Sequence, residues 1–187
     1  MLDEGVLIKR GVLKKGHFLL SSGLHSDEYF EKFRILEDPA FTRNLVKEKI
    51  EELRELEAEA VVGPTLGGVL VAYEVASQLG LRALYAEKED TKRVIKRGFY
   101  FREGLRVLIA DDVLTTGGSI RETWKITSEK GGKVVGVFVL INRSEGVEFP
   151  FPLISVFNVR AKTYSPSNCP LCKRGIPLEI PGGSKSL

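Results

Sequence analysis

One stretch of the sequence concentrates residues that could do chemistry on a phosphorylated sugar. Residues 107–119 read VLIADDVLTTGGS, an apolar run followed by two adjacent carboxylates, Asp111 and Asp112, and then by threonine, glycine and serine. Small residues at a helix N-terminus let backbone N–H groups surround a phosphate, where the helix dipole favours an anion. The carboxylates would repel a phosphate, so they suit sugar hydroxyls or a hard cation such as Mg²⁺. Phosphate, polyol and cation together describe a sugar phosphate.

The predicted elements place this stretch at one edge of a sheet. Strands are predicted over 60–62, 83–86, 105–110 and 133–142, with helices over 69–79 and 119–130. The last strand is almost continuously apolar, so we expect it to be buried on both faces. Alternating strands and helices favour an α/β protein with a parallel sheet. Ligands of such sheets bind at the carboxyl ends of the strands, where the glycine-rich loops at 63–68 and 111–119 both lie.

The flanking regions have weaker patterns. We predict a short helix over 2–15, a strand and turn over 16–29, an amphipathic helix over 39–56 and an irregular tail from Ser165. The helix over 39–56 rests on apolar residues at steps of three and four. A chain of this length favours one domain over 1–187, divided into an N-terminal segment (1–38), an α/β core (39–164) and a C-terminal tail (165–187).

Composition excludes several classes of function. The net charge of +3 is too small to argue for nucleic-acid binding. The longest apolar runs are far shorter than the roughly 20 residues that span a bilayer, and the N-terminal residues do not resemble a signal peptide. We therefore expect a cytoplasmic protein without membrane or nucleic-acid partners. The segment 92–102 carries five cations and no acid, which suits an anionic small molecule.

The two cysteines, Cys169 and Cys172, form one C-x-x-C pair. Such a pair is half of a four-cysteine zinc site. The two histidines, His17 and His25, lie far away in the sequence, and a metal would need them or a second chain. A local disulfide, a staple of the tail and half of a shared metal site are all structural interpretations, and we favour these over a redox role.

The stretch 107–119 resembles the phosphoribosyl-pyrophosphate motif of the type I phosphoribosyltransferases, with an apolar strand, two acids and a Thr/Gly loop. The resemblance implies that family's fold, a central and mostly parallel sheet flanked by helices with a small N-terminal hood subdomain. It also implies a requirement for Mg²⁺, held mainly through the substrate, with Asp111 and Asp112 as candidate protein ligands. These two acids would hold the ribose hydroxyls. The residues expected to contact phosphoribosyl pyrophosphate are Asp111, Asp112, Val113, Leu114, Thr115, Thr116, Gly117, Gly118, Ser119, Lys88, Lys92 and Arg93.

Residues 18–30, FLLSSGLHSDEYF, are similar to the N-terminal segment of orotate phosphoribosyltransferases, and the tail CPLCKRGIPLEIPGGS is similar to one branch of them. A Ser-Ser-Gly turn can present N–H groups to the carboxylate that distinguishes orotate from uracil. Arg143 follows a strand on the rim of the phosphate loop, and arginine pairs bidentately with carboxylates or carbonyls. The resemblance therefore implies orotate contacts from Thr115, Arg143, Ser22, Gly23, Tyr29 and Phe30.

The chain departs from the better-known branch of this family at three positions. Ser21 and Gly67 stand where that branch has lysine, and Glu87 stands where its mobile loop begins with arginine. Lys88 matches the catalytic lysine of that loop, so the expected catalytic residues are Asp111, Asp112 and Lys88. Lys92 and Arg93 would replace the missing cations. By resemblance, the loop over 88–102 closes over the site and reaches the neighbouring subunit, which implies a homodimer.

The expected reaction is transfer of phosphoribosyl from phosphoribosyl pyrophosphate to orotate in pyrimidine biosynthesis. Two alternatives remain open at this point. One is a phosphoribosyltransferase for a purine base, against which the Ser-Ser-Gly segment and Arg143 argue. The other is a regulator that binds phosphoribosyl pyrophosphate without catalysis, which the altered mobile loop favours and the lack of length for a DNA-binding module opposes.

Overall fold

The computed structural model describes residues 4–20, 22–64, 66–90, 92–96, 98–159 and 162–181. Its helices are α1 (Glu4–Lys9), α2 (Phe33–Leu36), α3 (Pro39–Lys47), α4 (Ile50–Arg54), α5 (Gly67–Leu79), α6 (Gly118–Glu129) and α7 (Pro170–Lys173). Its strands are β1 (Leu13–Leu19), β2 (His25–Phe30), β3 (Ala60–Pro64), β4 (Arg82–Glu89), β5 (Lys92–Val94), β6 (Arg106–Leu114), β7 (Lys133–Asn142), β8 (Leu153–Asn158) and β9 (Thr163–Tyr164).

The described chain divides into two compact units, one formed by its residues up to Arg34 and beyond position 161, the other by Ile35–Val159. The larger unit contains a six-stranded sheet in the order β5-β4-β3-β6-β7-β8. All neighbouring strands are parallel except β4 and β5, which form an antiparallel hairpin. The predicted α/β class with a mostly parallel sheet is confirmed. No helix among the described residues has the length and apolar character needed to cross a membrane.

The core of this sheet follows from the apolar runs in its central strands. In β6, residues Val107–Ala110 are fully buried, and in β7 Val137–Ile141 are 0–1% exposed. A strand that is buried on both faces loses the alternation of apolar and polar residues, as predicted for β7. Helix α5 ends at Gly80, whose φ of 70° gives the left-handed C-cap that glycine adopts without steric cost.

The predicted helix over 39–56 is two helices, α3 and α4, separated by a turn at Glu48 and Lys49. Helix α3 begins where the Asp38 side chain accepts a hydrogen bond from the Phe41 N–H at 2.9 Å. Glu48 retains a helical backbone, so the apolar positions of α4 continue nearly in phase. Hydrophobic periodicity therefore does not reveal the break.

The smaller unit contains the antiparallel sheet β1-β2-β9. The predicted helix over 2–15 is wrong beyond Lys9, because Gly11 takes a φ of 68° and the Val12 N–H bonds back to the Leu7 carbonyl. This is a glycine-terminated helix end, and the chain then enters β1. The tail that was predicted to be irregular from Ser165 contains the short helix α7, and β9 directly before it pairs with β2.

Glu59 connects the starts of β3 and β6. Its carboxylate accepts the Arg106 N–H at 3.0 Å and is paired with the Arg102 guanidinium. The backbone hydrogen bond, helped by Arg102, holds the pKa of the Glu59 carboxyl below its ordinary value of 4.5. A carboxyl whose pKa is lower in the folded state stabilises that state above its unfolded pKa, and the contribution is lost as the pH falls through the folded pKa.

We predict that Glu59→Gln lowers the free energy of unfolding at neutral pH and has little effect at a pH well below the folded-state pKa, where the wild-type carboxyl is also protonated. Urea denaturation at both pH values measures this. The control is Glu55→Gln, an exposed position on the same segment, which should change stability little at either pH. An equal loss for Glu59→Gln at both pH values would contradict the assignment.

Candidate active site

The acidic pair lies within the carboxyl end of β6, which continues to Leu114 rather than ending at Ala110 as predicted. Asp111 and Asp112 are 6% and 5% exposed. Neighbouring β7 runs parallel to β6, with Asp111 opposite Val139 and Leu114 opposite Asn142. Apolar strands on both sides thus hold the two carboxylates at the edge of the sheet where ligands bind.

Hydrogen bonds orient both carboxylates. Asp111 Oδ1 accepts the Asp112 N–H at 2.9 Å, and Asp111 Oδ2 accepts the Ser119 hydroxyl at 3.0 Å. Asp112 Oδ1 accepts the Val113 N–H at 2.7 Å. Ser119 lies in the first turn of α6, so its hydroxyl ties the start of that helix to the acidic pair.

The Thr/Gly segment forms the turn between β6 and α6. Thr115, Thr116 and Gly118 are exposed, while Gly117 is buried with a φ of 77°, a conformation that favours glycine. No side-chain cap is present at the N-terminus of α6. The first N–H groups of a helix have no partner inside it, and together with the dipole they offer a site for an anion.

A second glycine turn, between β3 and α5, lies against the acidic pair. A Cβ atom on Gly67 would be 1.8 Å from Asp112 Oδ2, and a Cβ on Gly68 would be 2.7 Å from Asp111 Oδ1. Only glycine permits this approach without moving the carboxylates. The lysine of the better-known branch would not fit at position 67 with Asp112 in this place, so the substitution and the geometry agree.

The same turn carries a strained residue. Leu66 has a φ of 31° and its side chain is 80% exposed, an unusual combination for a non-glycine residue. It lies at the carboxyl end of β3, which pairs directly with β6. Sequence reasoning placed the loop 63–68 at this edge but named none of its residues as functional. The sequence feature that could have identified this loop as functional is the spacing of three glycines around the end of a strand.

Arg143 comes directly after β7, beside the phosphate loop. Its N–H donates to the Leu114 carbonyl at 2.8 Å. The loop that follows packs on the turn, because a Cβ on Gly117 would meet the Val147 side chain at 3.1 Å. The Arg121 guanidinium lies 5.2 Å from the centre of the Phe149 ring, which fixes the loop to α6. The structure therefore brings Arg143 next to Thr115–Ser119.

The cationic segment differs from the prediction at its start. Strand β4 extends to Glu89 and pairs with β5, with Lys88 opposite Arg93. Lys88 and Lys92 are exposed. The Arg93 side chain is 7% exposed, and its guanidinium donates to Glu122 at 3.2 Å and to the Ala86 carbonyl at 3.1 Å.

Further along the loop over 88–102, apolar side chains hold the chain against the core of the sheet. Ile95 is 4% exposed, and Phe99 and Phe101 pack on the core cluster of the sheet. The Phe99 ring is 5.2 Å from that of Tyr85 in an edge-on arrangement. Among the described residues of the loop over 88–102, the exposed cations of the hairpin are Lys88 and Lys92, and Lys96 and Tyr100 are also exposed.

The residues predicted to contact the base at the N-terminus belong to the smaller unit. Ser22 and Gly23 are exposed in the turn after β1, and the Gly23 N–H donates to the Leu20 carbonyl at 2.9 Å. Tyr29 and Phe30 are adjacent in β2 and so face opposite sides of the sheet. Phe30 is 5% exposed, whereas Tyr29 is half-buried with its ring 5.7 Å from that of Phe18. Ser21 lies outside the described residues.

Comparison with known proteins gives consistent matches. The family model described as "Phosphoribosyl transferase domain" matches residues 34–165. The orotate phosphoribosyltransferase of Caldanaerobacter subterraneus subsp. tengcongensis is 44% identical over 95% of this chain and 94% of its own length. The crystal structure of orotate phosphoribosyltransferase from Aeropyrum pernix is similar with a TM-score of 0.69 and 29% identity, covering 83% of this chain and 93% of that one.

The fold alone does not select a base. The crystal structure of adenine phosphoribosyltransferase from Thermoanaerobacter pseudethanolicus matches with a TM-score of 0.60 over 71% of this chain and 88% of its own, at 20% identity. At this identity the likeness concerns architecture only. The identity over nearly the whole chain is with proteins named for orotate.

We predict that Gly67→Ala weakens binding of phosphoribosyl pyrophosphate by about 10- to 100-fold, since the new methyl group must displace the Asp112 carboxylate and hydrogen bonds to a charged group are worth about 1.5–3 kcal/mol. Titration calorimetry measures the affinity, and circular dichroism checks the fold. Ser77→Ala, at an exposed position of the same helix, should bind as wild type does. Unchanged affinity in Gly67→Ala would show that Asp112 does not act from the position described.

Proposed function

Because this chain belongs to the orotate phosphoribosyltransferase family, we propose that it transfers phosphoribosyl from phosphoribosyl pyrophosphate to orotate, giving orotidine 5′-monophosphate and pyrophosphate in pyrimidine biosynthesis. The observation that carries the proposal is the buried pair Asp111 and Asp112, held between an uncapped helix N-terminus and a glycine turn. The substrates are strongly charged anions, which agrees with a cytoplasmic location.

The phosphate loop accounts for one end of the donor. The first N–H groups of α6, with the hydroxyls of Thr115, Thr116 and Ser119, would hold the 5′-phosphate. Val113 and Leu114 would position that loop as the last residues of β6. The carboxylates of Asp111 and Asp112 would accept hydrogen bonds from the ribose hydroxyls, and their negative charge would stabilise positive charge that develops at the anomeric carbon.

Carboxylates oriented by backbone and serine donors fit a hard cation, which prefers oxygen ligands. Asp111 and Asp112 would assist in holding Mg²⁺ that enters with the substrate, and the ion would supply charge neutralisation of the leaving pyrophosphate. Both oxygens of Asp111 already accept hydrogen bonds from the protein, which agrees with an ion held mainly by the substrate.

We assign the remaining pyrophosphate contacts to the β4–β5 hairpin. Lys88 and Lys92 are exposed and would contact the leaving group, with Lys88 as the catalytic cation. Arg93 would have to exchange its pairing with Glu122 for pyrophosphate, so it ranks behind the two lysines. Closure of this hairpin would exclude water that competes with the base. A homodimer in which the hairpin enters the neighbouring site is part of the same proposal.

Recognition of the base rests on groups suited to an acidic pyrimidine. The Arg143 guanidinium can pair with the orotate carboxylate or carbonyls, and Thr115 can contribute its hydroxyl from the adjoining loop. For Ser22, Gly23 and Tyr29, which belong to the smaller unit, the support for a role with the base is their resemblance to the N-terminal segment of orotate phosphoribosyltransferases. Phe30 would contribute by supporting β2 from its buried side, since it is 5% exposed.

We predict that the protein, given Mg²⁺ and phosphoribosyl pyrophosphate, releases pyrophosphate with orotate and not with uracil, adenine or hypoxanthine. A coupled pyrophosphate assay with each base in turn measures this. Arg143→Lys should lower kcat/KM for orotate, because a lysine ammonium cannot form the bidentate pair. The matched control is Arg54→Lys, at an exposed position of α4, which should leave kcat/KM unchanged.

Two other outcomes of this assay would each overturn part of the proposal. Release with a purine would indicate the purine-type activity and overturn the choice of orotate. Binding of phosphoribosyl pyrophosphate without release with any base would indicate a regulator and overturn catalysis.

A further inference from the structure

Four side chains that are distant in the sequence converge in the smaller unit. His17 lies in β1, and His25 is the first residue of β2. Cys169 directly precedes α7, and Cys172 lies within it. His17, His25 and Cys169 are 1%, 5% and 1% exposed, and Cys172 lies at the surface. One ligand atom from each residue lies within 4.8 Å of all the others.

The three nitrogen–sulfur distances match the edges of a metal-centred tetrahedron, and the two nitrogens lie about 0.4 Å closer together than its edge. With metal–sulfur bonds of about 2.3 Å and metal–nitrogen bonds of about 2.0–2.1 Å, a tetrahedral Zn²⁺ places nitrogen and sulfur about 3.5 Å apart and two nitrogens about 3.3 Å apart. His17 Nε2 is 3.5 Å from Cys169 Sγ and 3.7 Å from Cys172 Sγ. His25 Nδ1 is 3.4 Å from Cys172 Sγ and 2.9 Å from His17 Nε2.

The surroundings prepare His17 to be a ligand. Its Nδ1 lies 2.7 Å from the Ile176 carbonyl, which accepts a hydrogen bond but cannot donate one. Nδ1 of the neutral ring therefore carries the proton, and Nε2 presents its lone pair to the cluster. In a metal-bound histidine, the other ring nitrogen usually donates its N–H to a carboxylate, a backbone carbonyl or water.

A break in strand register aims the two histidines at each other. Lys15 pairs with Glu28, but Phe18 pairs with Ser26, so β1 contains one extra residue between Lys15 and Phe18. Such a bulge reverses the alternation of side chains. It places His17 on the face opposite to Phe18, which is the face that His25 shares.

The smaller unit is short enough that a bound metal would add to its stability. The unit comprises positions 1–34 and 160–187, below the about 70–80 residues at which one apolar core suffices. The tail is held to β1 by two backbone hydrogen bonds of Glu179, and the two-residue strand β9 just before the tail pairs with β2. A shared metal would join segments that lie 152 positions apart.

We propose that His17, His25, Cys169 and Cys172 bind one Zn²⁺ ion in a closed tetrahedral site that fastens the C-terminal tail to the β1–β2 hairpin. Binding releases a proton from each thiol, and His25 takes the tautomer protonated on Nε2 so that Nδ1 coordinates. Two thiolates neutralise the ion, which suits a site with three buried ligands. Four protein ligands leave no open position, so the role is structural and not catalytic.

A disulfide between Cys169 and Cys172 is the competing arrangement. It would use the sulfurs alone and leave the two buried imidazoles bonded to each other, His17 Nε2 to His25 Nδ1 at 2.9 Å, with no role for their contacts to the sulfurs. The convergence of both histidines on both sulfurs favours the metal. Exposure of Cys172 provides a path by which the ion enters.

The experiment uses the full chain, stripped with a chelator under reducing conditions and then titrated with Zn²⁺ or Co²⁺. We expect about one equivalent of Zn²⁺ to bind per chain, measured by elemental analysis after gel filtration. Co²⁺ should give the intense visible bands of a tetrahedral ion and a thiolate charge-transfer band. Zinc should raise the melting temperature, and chelator should reverse the change.

Cys172→Ser tests the ligand set at the exposed position, where the variant should fold. Its zinc affinity should fall by more than the about 10- to 100-fold that loss of an outer partner costs, and its melting temperature should no longer respond to chelator. Ser167→Ala, an exposed change in the same tail, should bind zinc as wild type does. Substoichiometric zinc in wild type, a six-coordinate Co²⁺ spectrum, or a Cys169–Cys172 disulfide found by peptide mass spectrometry in the untreated protein would each overturn the proposal.

Discussion

The close approach of the β3–α5 glycine turn to the carboxylates at the end of β6 is the constraint on which the candidate active site depends. Gly67 and Gly68 leave no space for a Cβ atom where Asp112 and Asp111 stand. Parallel pairing of β3 with β6 brings the two loops to one edge. Ser119 then ties the first turn of α6 to Asp111, so the phosphate loop, the acidic pair and the glycine turn hold one another in place.

Burial makes these contacts consequential. Carboxylates with exposures near 5% lose most of their hydration, and hydrogen bonds from backbone and serine donors compensate for it. In such surroundings the negative charges act strongly on whatever lies beside them. Under the proposed function, this charge would stabilise a ribose that develops positive charge. A single methyl group at position 67 would therefore alter the site by displacing the Asp112 carboxylate.

Local patterns in the sequence predicted the frame of this site but not its closest contacts. The continuous apolar runs of β6 and β7 and the acidic pair were visible at once, because burial and residue type are local properties. The contact between Gly67 and Asp112 joins two loops that only the sheet brings together. The break at Glu48–Lys49 and the β4–β5 hairpin were also not predicted, because neither changes the periodic pattern of apolar residues. Convergence of His17 with Cys169 depends on the pairing of the two chain ends, which no window of sequence contains.

The central claim is that the charge of Asp112, held in this position, supports phosphoribosyl transfer. The most direct measurement is the rate of pyrophosphate release with orotate for Asp112→Asn, a change that preserves the oxygen that accepts the Val113 N–H and removes the charge. The account predicts a fall of about 10²–10³-fold in kcat, with unchanged circular dichroism. A rate within a factor of about two of wild type, well below the effect expected of an electrostatic group, would contradict it.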